Sequence, residues 1–200
     1  NVNVVVADLN EETGKSFVSS LNSSEFKNRA LFVRTDVSDA ESVRNLVEKT
    51  VSAFGGLDLM VSNAGVLRAG SLDEMDPETF AKTTNINYSG YFYCAKYASE
   101  IMKIQNQEKP EYFSDIIQIN SKSGLRGSNR NFAYAGTKFG GIGLTQSFAL
   151  ELAPFRIKVN SICPGNFYEG PLWSDPHNEL FVQYLRTGKV PGAKTIDDVK

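Results

Sequence analysis

The stretch ALFVRTDVSDAESVRNLVEKTVSAFGGLDLMVSNAG, residues 30–65, decides the fold. It opens on a short apolar strand, Ala30 to Val33, that ends near Asp36. Ser38 and Glu41 then have the S-x-x-E spacing of a capping box, which predicts a helix start. In that helix Val43, Leu46, Val47 and Val51 share one face, and Gly55 stops it. Leu57 to Ser62 is again mostly apolar, as a strand covered on both sides requires. A strand, a helix and a strand in succession predict parallel pairing through a right-handed crossover.

The same alternation extends in both directions. Upstream, Val2 to Ala7 reads as a buried strand ending at Asp8, followed by a helix from Glu11 to Leu21. Downstream, Asp76-Pro77 reads as an N-cap with proline in the first helical position, opening a long helix to about Ile104. Ile116 to Asn120 is strand, Phe132 to Leu152 helix and Ile157 to Cys163 strand. A loop-rich close holds a helix near Asn178 to Arg186. This order predicts an α/β fold, a doubly wound parallel sheet with helices on both faces, in a single domain spanning 1–200. Open sheets of this kind bind ligands beyond the carboxyl ends of their strands. Asp8, Asp36, Asn63, Ser121 and Pro164-Gly165 all fall at such ends, which predicts one site.

Composition narrows the function classes. Of 200 residues, 41% are hydrophobic and 22% charged, with a net charge of −2, which is ordinary for a globular domain. No basic run points to nucleic acid, and no apolar run approaches the roughly 18 residues of a membrane span. Two cysteines and one histidine argue against a disulfide scaffold and against a zinc site. VNVVVAD is short, has no basic flank and ends in an acid, unlike a signal peptide. A reducing cytoplasm fits best.

The chemistry concentrates in YAGTK, residues 134–138, with Ser121 thirteen residues before the tyrosine. Residues four apart on a helix share a face, so Lys138 falls beneath Tyr134. A nearby ammonium favours phenolate, which predicts a Tyr134 pKa lowered towards working pH. Tyr134 then suits a general acid for carbonyl reduction and a base for alcohol oxidation. The Ser121 hydroxyl suits a hydrogen bond to the substrate oxygen as charge develops on it. A tyrosine packed in a helix interface beside a solvated lysine is the alternative, since a lone Y-x-x-x-K arises often by chance.

Asn63-Ala64-Gly65 after a strand, Asn87 in NYSG, the Ser121, Tyr134 and Lys138 spacing, and Pro164-Gly165 after the next strand occur in one order. In these motifs the chain resembles the classical short-chain dehydrogenases/reductases over essentially its whole length. The resemblance implies a Rossmann-type fold and hydride transfer between a nicotinamide dinucleotide and a small alcohol or ketone. It implies that Lys138 also holds the nicotinamide ribose, with Tyr134, and that Asn87 anchors a water-linked proton relay. Asn63, Ala64, Gly65, Pro164 and Gly165 would lie against the cofactor, and Asp36-Val37 against its adenine. A turn acid before Ser38 is the competing reading of Asp36. Asp8 at a strand end favours NAD over NADP, because a carboxylate binds the ribose hydroxyls and repels a 2′-phosphate. Leu9 follows it, and no arginine stands adjacent in sequence. Asp8 capping the next helix is compatible with that role. In the family, the helices that hold Asn87 and Tyr134 often build a homodimer or homotetramer. Ala135, Gly136, Gly140, Gly141 and Gly143 fit close approach of such a partner, or close packing within the subunit.

The chain departs from the family in three places. The glycine-rich phosphate loop TGxxxGxG is absent, along with the family's first and last strands. The domain is therefore expected to be partial, and the strands before residue 35 are expected to lack a partner joining them to the rest. Asn120 stands where many relatives have serine, a change expected to matter little. The segment from Asn166 to Thr195 is worded like that of sorbitol-6-phosphate dehydrogenase-like members, some of which are fused to aldolases. This wording favours a polyol or sugar-phosphate substrate. Lys122 and Arg126 are the candidate phosphate contacts, with Arg130, His177 and Lys189 also near the mouth. Phe167, Leu172, Trp173 and Phe181 keep open an apolar alcohol such as a steroid or hydroxyacyl group. A catalytically silent dinucleotide sensor on the same fold is the third reading.

Overall fold

The structure, a computed structural model, describes residues 2–23, 29–170, 173 and 180–199. Strand β1 (Val4–Asp8), helix α1 (Glu11–Asn22) and strand β2 (Ala30–Arg34) form the first unit. Helix α2 (Ala40–Phe54) leads to β3 (Leu59–Ser62). Then follow α3 (Pro77–Thr84), a π-helical turn (Asn85–Ser89) and α4 (Gly90–Glu108). Strand β4 (Ser114–Ile119), α5 (Phe132–Leu152) and β5 (Ile157–Ile162) complete the sheet. Two short helices, α6 (Leu180–Arg186) and α7 (Ile196–Val199), close the chain; the part of the expected helix before Leu180 lies outside the described residues.

Every pair of strands is parallel, as predicted. Val4 pairs with Ala30, Met60 with Ile116, and Ile116 with Val159. The sheet is nevertheless in two pieces, β1-β2 and β3-β4-β5, with no ladder between them among the described residues. This is the expected break. β4 alternates buried and half-buried residues with none exposed, so helices cover both of its faces. The main core joins Val43 and Val47 of α2, Tyr91, Ala98 and Met102 of α4, and Ile116, Ile157 and Val159 of the strands. A smaller core joins Trp173, Leu180, Phe181 and Val199 to Leu67 and Tyr184.

Two local expectations are corrected. The capping box does not form: Asp39, not Ser38, is the N-cap of α2 and accepts from the Glu41 amide at 3.0 Å. The Ser38 hydroxyl is instead drawn to Asp36, donating to Oδ1 at 2.6 Å. The long helix from Asp76 is also not uniform. It widens into the π turn around Asn87, a feature frequent at functional sites.

Candidate active site

The carboxyl ends of β3, β4 and β5 bring Asn63-Ala64-Gly65, Ser121 and Pro164-Gly165 to one side of the sheet, and α5 adds Tyr134 and Lys138. Backbone bonds tie these loops together. The Asn120 amide donates to Ile162 O at 2.8 Å and the Lys122 amide to Pro164 O at 2.9 Å. Ser121 is held extended, with its Oγ accepting from the Ser123 amide at 3.1 Å.

Lys138 is only 5% exposed. Its ammonium donates to Ile119 O at 2.9 Å and lies 5.5 Å from the centre of the Tyr134 ring. Burial lowers its pKa to about 8, with a small opposing effect of Cys163. Tyr134 departs from expectation. Burial raises its pKa above the ordinary phenol value, and the hydrogen bond with the Ser121 hydroxyl only partly offsets this. Desolvation of the buried phenol thus outweighs the anticipated attraction to Lys138.

Asn87 is 3% exposed and clamps the loop after β3. Its Oδ1 accepts from the Val66 amide at 2.8 Å, and its Nδ2 donates to Val66 O at 2.8 Å and to Thr137 Oγ1 at 3.2 Å. A Cβ placed on Gly65 would lie 3.4 Å from Asn87 Oδ1 and 3.8 Å from Lys138 Nζ. Gly65, Asn87 and Lys138 therefore converge.

Asn120 does more than sequence reading allowed. It is 4% exposed, donates to Gln118 Oε1 at 2.8 Å and Lys138 O at 3.0 Å, and accepts from the Ser121 amide at 2.8 Å. It thus fastens the end of β4 to the helix bearing Tyr134. Gln118 Oε1 also accepts from Ser161 at 3.1 Å. The available signal was period two: Gln118 and Asn120 fall on the same face of a strand expected to be buried.

At the other end of the site Asp8 is exposed and its Oδ1 accepts from the Asn10 amide at 2.8 Å. Asn10, rather than Asp8, caps α1. The strand register places Arg34 directly across from Asp8, so the expectation that no arginine stands beside this carboxylate holds only along the chain. Asp36 is the turn acid of the competing reading: it accepts from the Ser38 amide at 2.9 Å as well as from its hydroxyl, and these bonds hold its pKa below the usual carboxylate value. Val37 packs against the start of α4, where a Cβ on Gly90 would meet it at 3.0 Å.

On the substrate side the smaller core lays α6 over the loops. The Ala69 amide donates to Gln183 Oε1 at 3.2 Å, and Lys189 reaches Ser128 Oγ at 2.7 Å and Asn129 O. Tyr184 packs edge-on against Trp173, 5.4 Å between ring centres. Burial and the neighbouring phenols of Tyr134 and Tyr168 push its pKa up to about 12. Sequence reading missed Tyr184. Lys122 and Arg126 are exposed, and Arg126 makes no hydrogen bond or ion pair among the described residues. Phe167 is exposed whereas Trp173 is buried; His177 and Leu172 lie outside the described residues.

Residues 1–175 match the family described as short chain dehydrogenase. The chain belongs to this family. It is 38% identical over 169 residues to a trans-4-hydroxycyclohexanecarboxylate dehydrogenase of Sinomonas cyclohexanicum, covering 82% of this chain and 62% of the relative. It is 35% identical over 173 residues to a sorbitol-6-phosphate 2-dehydrogenase of Escherichia coli, covering 85% and 64%. The chain thus spans less than two thirds of the length of these relatives. Among solved structures, an NAD+-bound xylitol dehydrogenase superposes with a TM-score of 0.87 at 27% identity, covering 98% of this chain and 72% of that one. ElxO with NADP bound superposes at 0.72 with 34% identity, covering 81% and 62%. Solved structures similar to this chain thus include one with NAD+ bound and one with NADP bound.

The residues present fit the two ends of such a dinucleotide. Asp8 offers an exposed carboxylate for a ribose diol, Lys138 places an ammonium beside exposed Gly65, and a Cβ on Gly165 would meet open space. Among the described residues no cluster of His, Cys, Asp and Glu could hold a metal, and no helix is long and apolar enough to cross a membrane.

Proposed function

We propose that the full-length protein is an NAD-dependent oxidoreductase that interconverts a secondary alcohol and a ketone, with a polyol or sugar phosphate such as sorbitol 6-phosphate as substrate. The observation that carries this reading is the convergence of Tyr134 with Ser121 and Lys138 at the strand ends, behind the clamp of Asn87. The dinucleotide, when bound, supplies or accepts the hydride. Tyr134 moves the proton at the substrate oxygen. Burial keeps its phenol protonated, which suits carbonyl reduction, and oxidation of the alcohol gains as pH rises. Ser121 donates to the substrate oxygen, Lys138 holds the nicotinamide ribose, and Asn87 anchors the proton relay. Asn63, Ala64, Gly65, Pro164 and Gly165 line the cofactor, and Asp36 and Val37 flank its adenine.

Asp8 carries the preference for NAD. Asp8→Ala is expected to weaken NAD binding by about 1 to 3 kcal/mol through loss of charge-assisted hydrogen bonds. NADP binding is expected to hold or improve, because Arg34 remains across the strand to meet a 2′-phosphate. Calorimetry with both cofactors checks this, and faster turnover of NADPH than NADH by the wild type would refute the reading of Asp8.

The test of substrate is oxidation of sorbitol 6-phosphate, related sugar phosphates, free polyols and hydrophobic secondary alcohols, each with NAD. Turnover of polyols or their phosphates is the expected result. The aromatic cluster of Tyr168, Trp173, Phe181 and Tyr184 favours one rival, an apolar alcohol. Activity confined to hydrophobic alcohols would establish that rival instead. Gly140 and Gly141 are crowded by Tyr88 and Gln118 of the same subunit, whereas Gly136 and Gly143 face open space. Exposed Phe92, Phe139 and Leu150 accompany them on α4 and α5, which supports self-association as a homodimer or homotetramer. The free thiols of Cys94 and Cys163 fit a cytoplasmic location.

A further inference from the structure

We propose that Lys189, together with Lys122 and the Ser128 hydroxyl, forms an anion subsite that takes the phosphate group of the substrate. The proposal rests on the sugar-phosphate reading above and assigns that phosphate to particular residues.

Lys189 follows α6, far in sequence from the Ser121 loop, yet its ammonium is seated on that loop. It donates to Ser128 Oγ at 2.7 Å and to the Asn129 carbonyl, and lies 5.2 Å from the centre of the Tyr184 ring. An ammonium has three protons to donate, and these two neutral acceptors leave one. Ser128, accepting from Lys189, keeps its own hydroxyl proton to donate. Neither contact neutralises the charge. Burial lowers the Lys189 pKa, and the charge of a second cation, Lys122, lowers it further. A half-buried ammonium beside a second, exposed cation is unfavourable until an anion joins them, and a phosphate dianion is the class that gains most from two ammonium groups. The carboxylate on the neighbouring loop, Glu74, does not fill this role. It accepts from the Ser71 amide at 2.8 Å and lies in the field of Arg130 and Arg186.

Position supports the assignment. Lys122 directly follows Ser121. Tyr184, under the Lys189 ammonium, feels the Tyr134 phenol. The Lys189 ammonium and the Tyr134 phenol thus share Tyr184 as a neighbour. Arg126, the sequence-based alternative to Lys122, is exposed and makes no hydrogen bond or ion pair among the described residues.

The experiment measures KM and kcat of the full-length protein for sorbitol 6-phosphate, and calorimetric binding of sorbitol 6-phosphate and of free sorbitol. Lys189→Ala is expected to raise the KM for the phosphate about 10- to 100-fold, as loss of a charge-assisted contact implies. Free sorbitol binding is expected to change less than about twofold, Lys189→Arg to retain most affinity, and Lys122→Ala to show a smaller rise confined to the phosphate. If Lys189→Ala does not fold, Lys122→Ala decides the matter by the same comparison. An equal loss for both ligands means that Lys189 only fastens α6 to the loop, and overturns the subsite. So does unchanged affinity for sorbitol 6-phosphate in both alanine variants. These results leave the sugar-phosphate reading intact, whereas failure of the wild type to bind or oxidise any sugar phosphate overturns that reading and the subsite with it.

Discussion

Tyr134→Phe in the full-length protein is expected to lower kcat by about 10²- to 10⁴-fold, the range that a positioned proton donor contributes. The substitution removes one oxygen. The ring keeps its place 5.5 Å from the Lys138 ammonium, and that ammonium keeps its bond to Ile119 O. NAD affinity is therefore expected to stay within about threefold, because the phenol's part is proton transfer at the substrate. Lys138→Ala serves as the contrast. It removes an ammonium that faces both the Tyr134 ring and the surface of Gly65, and is expected to damage cofactor binding and turnover together. Steady-state kinetics with cofactor titration separates the two. Near-normal kcat in the phenylalanine variant would remove Tyr134 from the mechanism.

Gly141→Ala is expected to destabilise the protein by roughly 2 to 4 kcal/mol, although alanine is the better helix former by about 1 kcal/mol. A Cβ on Gly141 would lie 2.4 Å from Gln118 Nε2, 2.8 Å from its Oε1 and 3.0 Å from Asn120 Nδ2. Gln118 is 2% exposed and cannot swing into solvent. Moving it breaks its bonds with Asn120 and Ser161, and a buried polar group left unpaired costs about 1 to 3 kcal/mol. The damage is expected to spread to the site, since Asn120 also holds the Ser121 amide. Urea denaturation measures the loss, and a change within about 0.5 kcal/mol would show that the strand and helix separate more easily than this packing implies.

What could be read along the chain was local. Helix α5 runs from Phe132 to Leu152 as expected, because no proline interrupts that span and small and apolar residues fill it. Asp76-Pro77 starts α3 and Gly55 ends α2, since a cap needs only its neighbours in sequence. The alternation of elements sufficed for the parallel pairing, and the motif spacing for the gathering of Ser121, Tyr134 and Lys138. Ser38 is the exception even at this range: Asp39 takes the N-cap position and the Ser38 hydroxyl donates to Asp36.

The tertiary structure decided everything that depends on distance through space rather than along the chain. Arg34 faces Asp8 only because β1 and β2 pair in one register. Asn120 matters because Lys138 O and Gln118 come to it from elsewhere in the fold. Tyr184 and Lys189 come close to the loops around residues 69 and 128 because the smaller core sets α6 down on them. The direction of the Tyr134 pKa shift was out of reach for the same reason. A helical spacing places a lysine near a phenol, but burial, which no spacing encodes, settles which of the two effects is larger.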